Sequence, residues 1–534
     1  MSKQIKKIVI VGGGSSGWMT AATLINRLTL EDKEIILIED PNTPTVGVGE
    51  ATLGFINNWL ALLDIRDKDF MKHCDATYKM SIRFTDFYEK GSGSFHYPFG
   101  SPNNEGNESG KNDWYFKKTL YPETPLSDYA DCIYPIMALV NENKISEKDI
   151  LPNYTFQFDV AYHFDSVKFG AWLRDHYAVP RGVKHIRSKV ESIPTNEDGV
   201  EKLILEDGRE ITADLFIDCT GFRSLLIGGA LKEPFIPYSS VLPNNKAWAT
   251  QIPYLDKRKE MQCYTDCHAI DNGWVWTIPL WSRIGTGYVY SDKYISDDEA
   301  LEEFKEHLRS KGHKLGDEIK FRNISMRVGT YERLWVKNVC AIGLSAGFIE
   351  PLESNGLYSV HEFVYRLLRS ISRSNKGYVS QWDKDAFNSQ CFKMFKGFSE
   401  FVTLHYALSH RDDTEYWRDV GRREYFNESL YLIPDNKNYL DGDSNFIRYV
   451  NRRYEDYEYL NDGMGCIATG LNYLATDYDA LGWHYHSHNP EYDWREIFAK
   501  STEKLNEKKI KWQETVKDVP YMYDYLKEKI YYDE

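Results

Sequence analysis

The chain has 534 residues, enough for a large buried core and more than one domain, and it sets 65 Lys and Arg against 80 Asp and Glu, a formal net charge of −15. That balance argues against a nucleic-acid partner, because a duplex binder needs clustered basic side chains to displace counterions from phosphate. No apolar run approaches the length of a membrane span, so no membrane partner is expected either.

From the N-terminus, Ile8-Val9-Ile10-Val11 reads as a short buried strand, reached within ten residues and leaving no room for a signal peptide. Gly12-Gly13-Gly14-Ser15-Ser16-Gly17 follows at once, then a helix from Trp18 to about Leu28, then a second strand, Ile35 to Ile38, ending in Glu39. This is a βαβ opening with G-x-G-x-x-G spacing. Gly12 permits the tight turn, Gly14 lets backbone approach a pyrophosphate, and Gly17 allows the helix to pack closely on the sheet. Glu39 stands where an adenosine ribose presents its hydroxyls. Further turns at Gly47-Val48-Gly49-Glu50-Ala51-Thr52 and Thr220-Gly221 favour the extended FAD over NAD.

Tyr78 to Phe84 alternates with period two, so Met80, Ile82 and Phe84 face the core while Lys79, Ser81 and Arg83 face the other way, to solvent on composition alone. Loops near 91–94 and 101–112 are rich in Gly and Asn and are candidate lids. Leu215-Phe216-Ile217 and Val339-Cys340-Ala341-Ile342, the latter leading into Gly343, read as buried strands that join the first sheet. From about 355 a helix is predicted with Leu357, Val360, Val364, Leu367 and Leu368 on one face. The expected fold is α/β: a Rossmann-type FAD-binding body resembling flavin monooxygenases, with an additional β-sheet over 1–440 and a mainly helical C-terminal subdomain over 441–534. The eight cysteines are scattered, which reads as reduced thiols in a cytoplasmic protein. Cys263, Cys267 and His268 lack a second cluster at zinc-ligand spacing, so no metal is expected.

Six segments then show a resemblance to the flavin-dependent tryptophan halogenase family. They are Gly12 to Ala21, Val48 to Thr52, Ala161-Tyr162-His163-Phe164-Asp165, Asp218 to Ser224, Gly273-Trp274-Val275-Trp276-Thr277-Ile278-Pro279 and Gly347 to Ser354. The W-x-W-x-I-P run, with Trp274, Trp276, Ile278 and Pro279, separates this family from flavin monooxygenases sharing the glycine fingerprint. The resemblance implies that FADH2 from a separate reductase, reaching the enzyme by diffusion, reacts with oxygen and a halide ion to give hypohalous acid. That acid passes through a tunnel to a lysine beside a small aromatic substrate.

By the same resemblance Lys79 and Glu353 are the catalytic pair, and Gly12, Gly14, Ser15, Ser16, Gly17, Glu39, Gly49, Glu50, Ala51, Thr52, Gly343 and Ser354 hold the cofactor. The amides of Asn355 and Gly356 bind halide at a helix start, where free N–H groups favour an anion, and Tyr97 and Phe99 stack on the substrate ring. Many relatives carry Thr in place of Asn355, which makes a larger halide worth testing. Relatives acting on free tryptophan tend to carry paired tyrosines where this chain has Met464-Gly465, so an indole-like or phenolic substrate is expected instead. A homodimer is admitted as the assembly. The alternatives are a flavin monooxygenase of the same superfamily and a non-catalytic FAD-binding protein.

Overall fold

The computed structural model of the chain describes residues 3–28, 33–43, 47, 49–103, 111–373, 378–422, 461–472, 491 and 493–532. The expected domain division at 440/441, Val48 and most of the 101–112 loop lie outside them.

β-branched runs build the first sheet. Its six strands stand in the order Trp335–Val336, Val339–Ala341, Leu215–Asp218, Lys7–Val11, Glu34–Glu39, Lys184–Arg187. All pairings are parallel except that of Trp335–Val336 with Val339–Ala341. The two distant strands expected to join the first sheet do so. Chain order reverses on either side of Lys7–Val11, and the turns leaving the carboxyl ends there open a crevice of the kind in which such sheets bind nucleotides. The helix Ser15–Arg27 starts in that crevice.

A second, seven-stranded sheet runs Arg322–Ser325, Lys246–Ile252, Ile284–Tyr290, Gly273–Pro279, Tyr264–Ile270, Ser81–Thr85, Ser94–Pro98. It is antiparallel except where Tyr264–Ile270 meets Ser81–Thr85. A three-stranded sheet of Glu50–Ala51, Ala161–Phe164 and Thr77–Lys79 bridges the two. The predicted strand from Tyr78 to Phe84 is therefore two strands that change sheets at Met80, whose N–H donates to Cys263 O and whose carbonyl accepts from Phe99 N. Met80, Ile82 and Phe84 are buried as expected. Lys79 and Ser81 are buried too, because protein covers both faces, and the solvent-facing reading of Lys79 fails.

Residues 91–94 form the end of the hairpin joining Ser81–Thr85 to Ser94–Pro98, with Gly91 and Gly93 at positive φ. The helix predicted after 355 spans Gly356–Arg373 and buries Leu357, Val360, Val364 and Leu367. It packs on the long helix Gln381–Ala407. The described C-terminal segments are helical: Asn461–Gly470 lies against the strand Ser94–Pro98, and Trp494–Thr515 lies against Lys111–Leu120, where Phe498 stacks on Phe116. Tyr531 stacks on Trp281 with ring centroids 4.0 Å apart, drawing the C-terminal segment into the same core.

Candidate active site

The crevice of the first sheet is a cavity of about 590 Å³ that reaches from Gly12, Gly14, Ser15 and Ser16 past Glu39, Gly49, Glu50, Ala51 and Gly343 to Ser354, Asn355 and Gly356. Backbone forms its inner wall because side chains are sterically excluded. A Cβ on Gly17 would lie 1.9 Å from Gly12 O, and Gly12 itself holds φ +115° with Cys219 O 2.2 Å from where a Cβ would stand. Helix and turn can close on each other only as glycine. Glu39 ends its strand at the cavity wall, with His185 Nε2 3.1 Å from its Oε1. Opposite, Asp218 is buried and accepts from Thr220 Oγ1 at 2.7 Å, Leu226 N at 2.8 Å and Ile227 N at 2.9 Å, which fixes the Thr220-Gly221 turn against the same space.

Glu50 lines the cavity, and burial, with the nearby Asp165 charge, pushes its carboxyl up to about 7. Thr52, expected at the cofactor, stands outside the cavity lining: its hydroxyl donates to Tyr162 O at 2.9 Å and accepts from Tyr162 N at 2.9 Å. Trp276 and Ile278 line the cavity, and the Trp276 ring occupies the space that a side chain on Gly287 would fill, 2.2 Å from that Cβ position. Trp274 and Pro279 do not line it. Trp274 turns its indole N–H toward Glu350 Oε2 at 3.4 Å.

At the far end of the cavity the chain makes a short 3-10 turn, Pro351–Glu353, closed by Ser354 at φ +55°, a left-handed conformation that a non-glycine residue adopts only when its surroundings impose it. Ser354 lines the cavity, and its Oγ accepts a 2.7 Å hydrogen bond from Lys79 Nζ. Lys79 is 0% exposed. Burial pulls its pKa down to about 7, against the opposing influence of Cys267 and Glu353. The Phe99 ring centroid lies 5.1 Å from the amine. Tyr97, on the same strand as His96, packs on Phe401 at 6.1 Å, while His96 turns away to Ser81 Oγ at 2.9 Å. Glu353 is buried, and desolvation raises its pKa while His405 and Lys79 pull the other way. Asn355 is 4% exposed, and its Nδ2 has no hydrogen-bond partner among the described residues. The helix Gly356–Arg373 begins beside it.

The sequence assigns no role to four buried polar groups here. His405 Nε2 is 2.6 Å from Glu353 Oε1. Tyr406 OH donates to Glu350 Oε2 at 3.0 Å, and Asn244 Nδ2 donates to the same oxygen at 2.7 Å. His163 bridges Thr77 Oγ1 at 3.3 Å and Thr265 Oγ1 at 2.9 Å, one strand from Lys79. The signal available for His405 was a lone histidine in the apolar run Phe401 to Leu408, a pattern that more often marks a satisfied core residue. Nothing local marks its partner, 52 positions away in the sequence.

A glycine-walled crevice at a sheet switch point, an acidic residue at the next strand end and a continuous cleft define a Rossmann-type flavoprotein, and the residues present fit FAD. The chain matches the tryptophan halogenase family over residues 7–482. It is 35% identical over 446 residues to the 7-chloro-L-tryptophan 6-halogenase KtzR of Kutzneria sp. (strain 744), covering 78% of this chain and 82% of that one. It is 34% identical over 435 residues to the tryptophan 7-halogenase RebH of Lentzea aerocolonigenes, covering 78% and 79%. Among solved structures it resembles the apo structure of VirX1 with a TM-score of 0.88 at 40% identity over 99% of both chains. It also resembles a tryptophan 6-halogenase, SttH, from Streptomyces toxytricini, with a TM-score of 0.79 at 30% identity over 98% and 99%. The chain belongs to the tryptophan halogenase family. It is a flavin-dependent halogenase, using FADH2 supplied by a separate reductase and a halide ion to act on an aromatic substrate.

Proposed function

We propose that this enzyme halogenates an electron-rich aromatic compound, indole-like or phenolic rather than free tryptophan, with hypohalous acid handed to Lys79. Reduced FAD, when bound, supplies the two electrons with which oxygen and halide become hypohalous acid and water. Gly12, Gly14, Glu39, Gly49 and Gly343 would hold it. Ser354 is the link between cofactor and substrate, and the observation that carries the reading is its 2.7 Å contact with a fully buried lysine amine. A buried cation with one hydroxyl partner is costly unless it has work to do. Its N–H groups orient hypohalous acid toward the ring, and its lowered pKa also makes a neutral, haloamine-forming amine accessible near neutral pH. Glu353 polarises the oxidised halogen and accepts the ring proton as aromaticity returns.

Asn355 and Gly356 receive the halide, and the buried Nδ2 of Asn355, without a hydrogen-bond partner among the described residues, supplies one more donor for it. Tyr97 and Phe99 hold the ring. Several relatives are named for acting on tryptophan; the Met464-Gly465 pair of this chain carries no phenolic hydroxyls to hold an amino-acid end. We place the reaction in the cytoplasm, in a homodimer.

The test supplies the protein with FAD, a flavin reductase, NADH, oxygen and each halide in turn, with indoles, phenols and free tryptophan as acceptors. Halogenated indole or phenol is expected, with free tryptophan converted about tenfold more slowly, a difference of roughly 1.4 kcal/mol. No halogenated product from any acceptor overturns the reading. Free tryptophan as the best acceptor overturns its substrate half.

A further inference from the structure

The tautomer of His405 is fixed by its neighbours. Its Nδ1 lies 2.8 Å from Phe401 O, and a carbonyl oxygen only accepts, so Nδ1 carries hydrogen. Its Nε2 lies 2.6 Å from Glu353 Oε1. A neutral imidazole with hydrogen on Nδ1 would present a bare lone pair to a bare carboxylate at that distance, which is repulsive. One proton must therefore lie between the two, as imidazolium and carboxylate or as imidazole and carboxylic acid.

Neither Nε2 nor either Glu353 oxygen has another hydrogen-bond partner among the described residues. The pair is buried away from bulk solvent: His405 is 0% and Glu353 2% exposed. The imidazole is sleeved by the rings of Phe84 and Phe401, with centroids 5.0 and 5.1 Å away. The adjacent residue on the same helix, Tyr406, donates to Glu350 at 3.0 Å. Consecutive residues of the helix Gln381–Ala407 thus grip both acidic residues of the 350–353 turn, so the angle at which Glu353 meets its histidine is set from both ends.

We infer that His405 and Glu353 act as a one-proton unit, with His405 positioning the carboxylate and storing the proton that the halogenation step lends out and recovers. This deepens the reading of Lys79 and Glu353 given above and rests on it. For an aromatic Ar–H and a hypohalous acid HO–X, the O–X bond breaks as the C–X bond forms. The departing hydroxide takes the unit's proton and leaves as water. The C–H electron pair then returns to the ring, and its proton passes to Glu353, restoring the unit. The sum is Ar–H + HO–X → Ar–X + H2O, with no net proton exchanged with solvent. The unit is active with one proton: with none it has nothing to give, with two it has nowhere to receive. The charged or titratable groups facing it are Lys79 from Thr77–Lys79, Cys267 from Tyr264–Ile270 and Glu350 from the 350–353 turn.

The test compares the wild type with His405→Gln, whose amide still reaches Glu353 as a neutral donor and cannot store a proton. Both are measured as complete reaction mixtures with reductase, FAD and bromide. Total oxidised bromide, caught by a diffusible thioether, and halogenated indole are followed separately against pH. With His405→Gln, bromide oxidation stays within about twofold, and halogenated indole falls about tenfold. The alkaline limb of indole halogenation moves toward lower pH by about one unit, because a lone buried carboxylic acid gives up the proton that the histidine had kept in store.

A purely structural role would scale the profile down without moving its limb, and that result overturns the inference, as does an unchanged profile. If Lys79→Ala still halogenates indole, the underlying reading fails, whatever His405→Gln does. If Lys79→Ala is inactive and His405→Gln is normal, only the inference fails. Should His405→Gln lose FAD, 15N-histidine NMR of the FAD-loaded wild type decides. A histidine ring whose 15N signals shift on Glu353→Gln supports the shared proton. A ring whose signals are unmoved by that substitution overturns it.

Discussion

The cofactor crevice and the buried cluster around Lys79 meet at Ser354, yet they are built from opposite materials. The crevice is a backbone structure: its surface is made where side chains are missing, at Gly12 and Gly14, and Gly17 behind it lets the helix close on the turn. The cluster is a side-chain structure, in which Lys79, Glu353 and His405 are all buried and balanced against one another. A backbone surface tolerates no added atoms. A buried charge set tolerates conservative shape changes and fails when its proton count changes. Substitutions on the two sides should therefore fail in different ways.

The largest effect on FAD binding is expected at Gly17→Ala. The new Cβ would stand 1.9 Å from Gly12 O, a main-chain atom held between strand and helix. FAD affinity is expected to fall about 100-fold, roughly 3 kcal/mol, measured by quenching of flavin fluorescence. Halide oxidation and arene halogenation fall together. If the variant binds FAD normally, the crevice is not the backbone-limited surface described.

Lys79→Met reverses that pattern. It keeps the volume and removes the charge, so FAD binding stays within about twofold while halogenation drops about 1000-fold, close to 4 kcal/mol of lost transition-state stabilisation. The same variant has a signature in stability. The amine's pKa is depressed to about 7 in the folded protein, so between about pH 7 and 10.5 the unfolded chain binds more protons and wild-type stability rises with pH. Below about pH 7 the buried charge is a full penalty. Lys79→Met is thus expected to raise Tm more near pH 6 than near pH 9, read by thermal unfolding at the two pH values. An equal gain at both would mean that the lysine is not desolvated.

This contrast also explains what the sequence made legible. The crevice was readable because a glycine turn between a β-branched strand and a helix is a local pattern, and Leu215–Asp218 and Val339–Ala341 announce themselves as buried parallel strands. Lys79 was not readable from periodicity, since alternation says only that it faces away from Met80 and Ile82. That both faces are covered follows from the sheet change at Met80 and from the turn carrying Glu353, 274 positions later. The resemblance to a family carried Lys79 and Glu353. It gave no role to His405 or to Glu350, whose partners meet only through the tertiary fold. Thr52 shows the converse, a residue in the right motif whose hydroxyl serves the backbone of Tyr162.

A smaller effect is expected on the boundary between the two regions. Asn355→Ala removes a buried N–H donor that has no partner among the described residues. The halide KM is expected to rise about tenfold, as when a hydrogen bond to an anion is lost, with FAD affinity unchanged. Bromide and chloride titrations of initial rate check it, and an unchanged KM for both would remove Asn355 from the halide site.

The smallest effect sharpens the comparison most, because it introduces a backbone-type defect on the side-chain half. In the helix Asn461–Gly470, a Cβ on Gly463 would lie 2.7 Å from Tyr97 Cζ, 2.8 Å from Tyr97 Oη and 3.1 Å from Phe401 Cζ. Unlike Gly12 O beside Gly17, these atoms belong to rings that can turn. Alanine also favours a helix interior over glycine by about 1 kcal/mol, which offsets the crowding. Gly463→Ala is therefore expected to leave Tm nearly unchanged and to displace the Tyr97 ring. The kcat/KM ratio between a large and a small aromatic acceptor should fall about threefold, or roughly 0.7 kcal/mol. Gly465→Ala is the control, since its Cβ would meet Tyr129 instead, with Oη at 3.1 Å and Cζ at 3.8 Å. If Gly463→Ala unfolds the protein, Tyr97 is as immovable as main chain. If the ratio does not change, Tyr97 packs the helix without touching the substrate, and Phe99 alone is left to hold the ring beside Lys79.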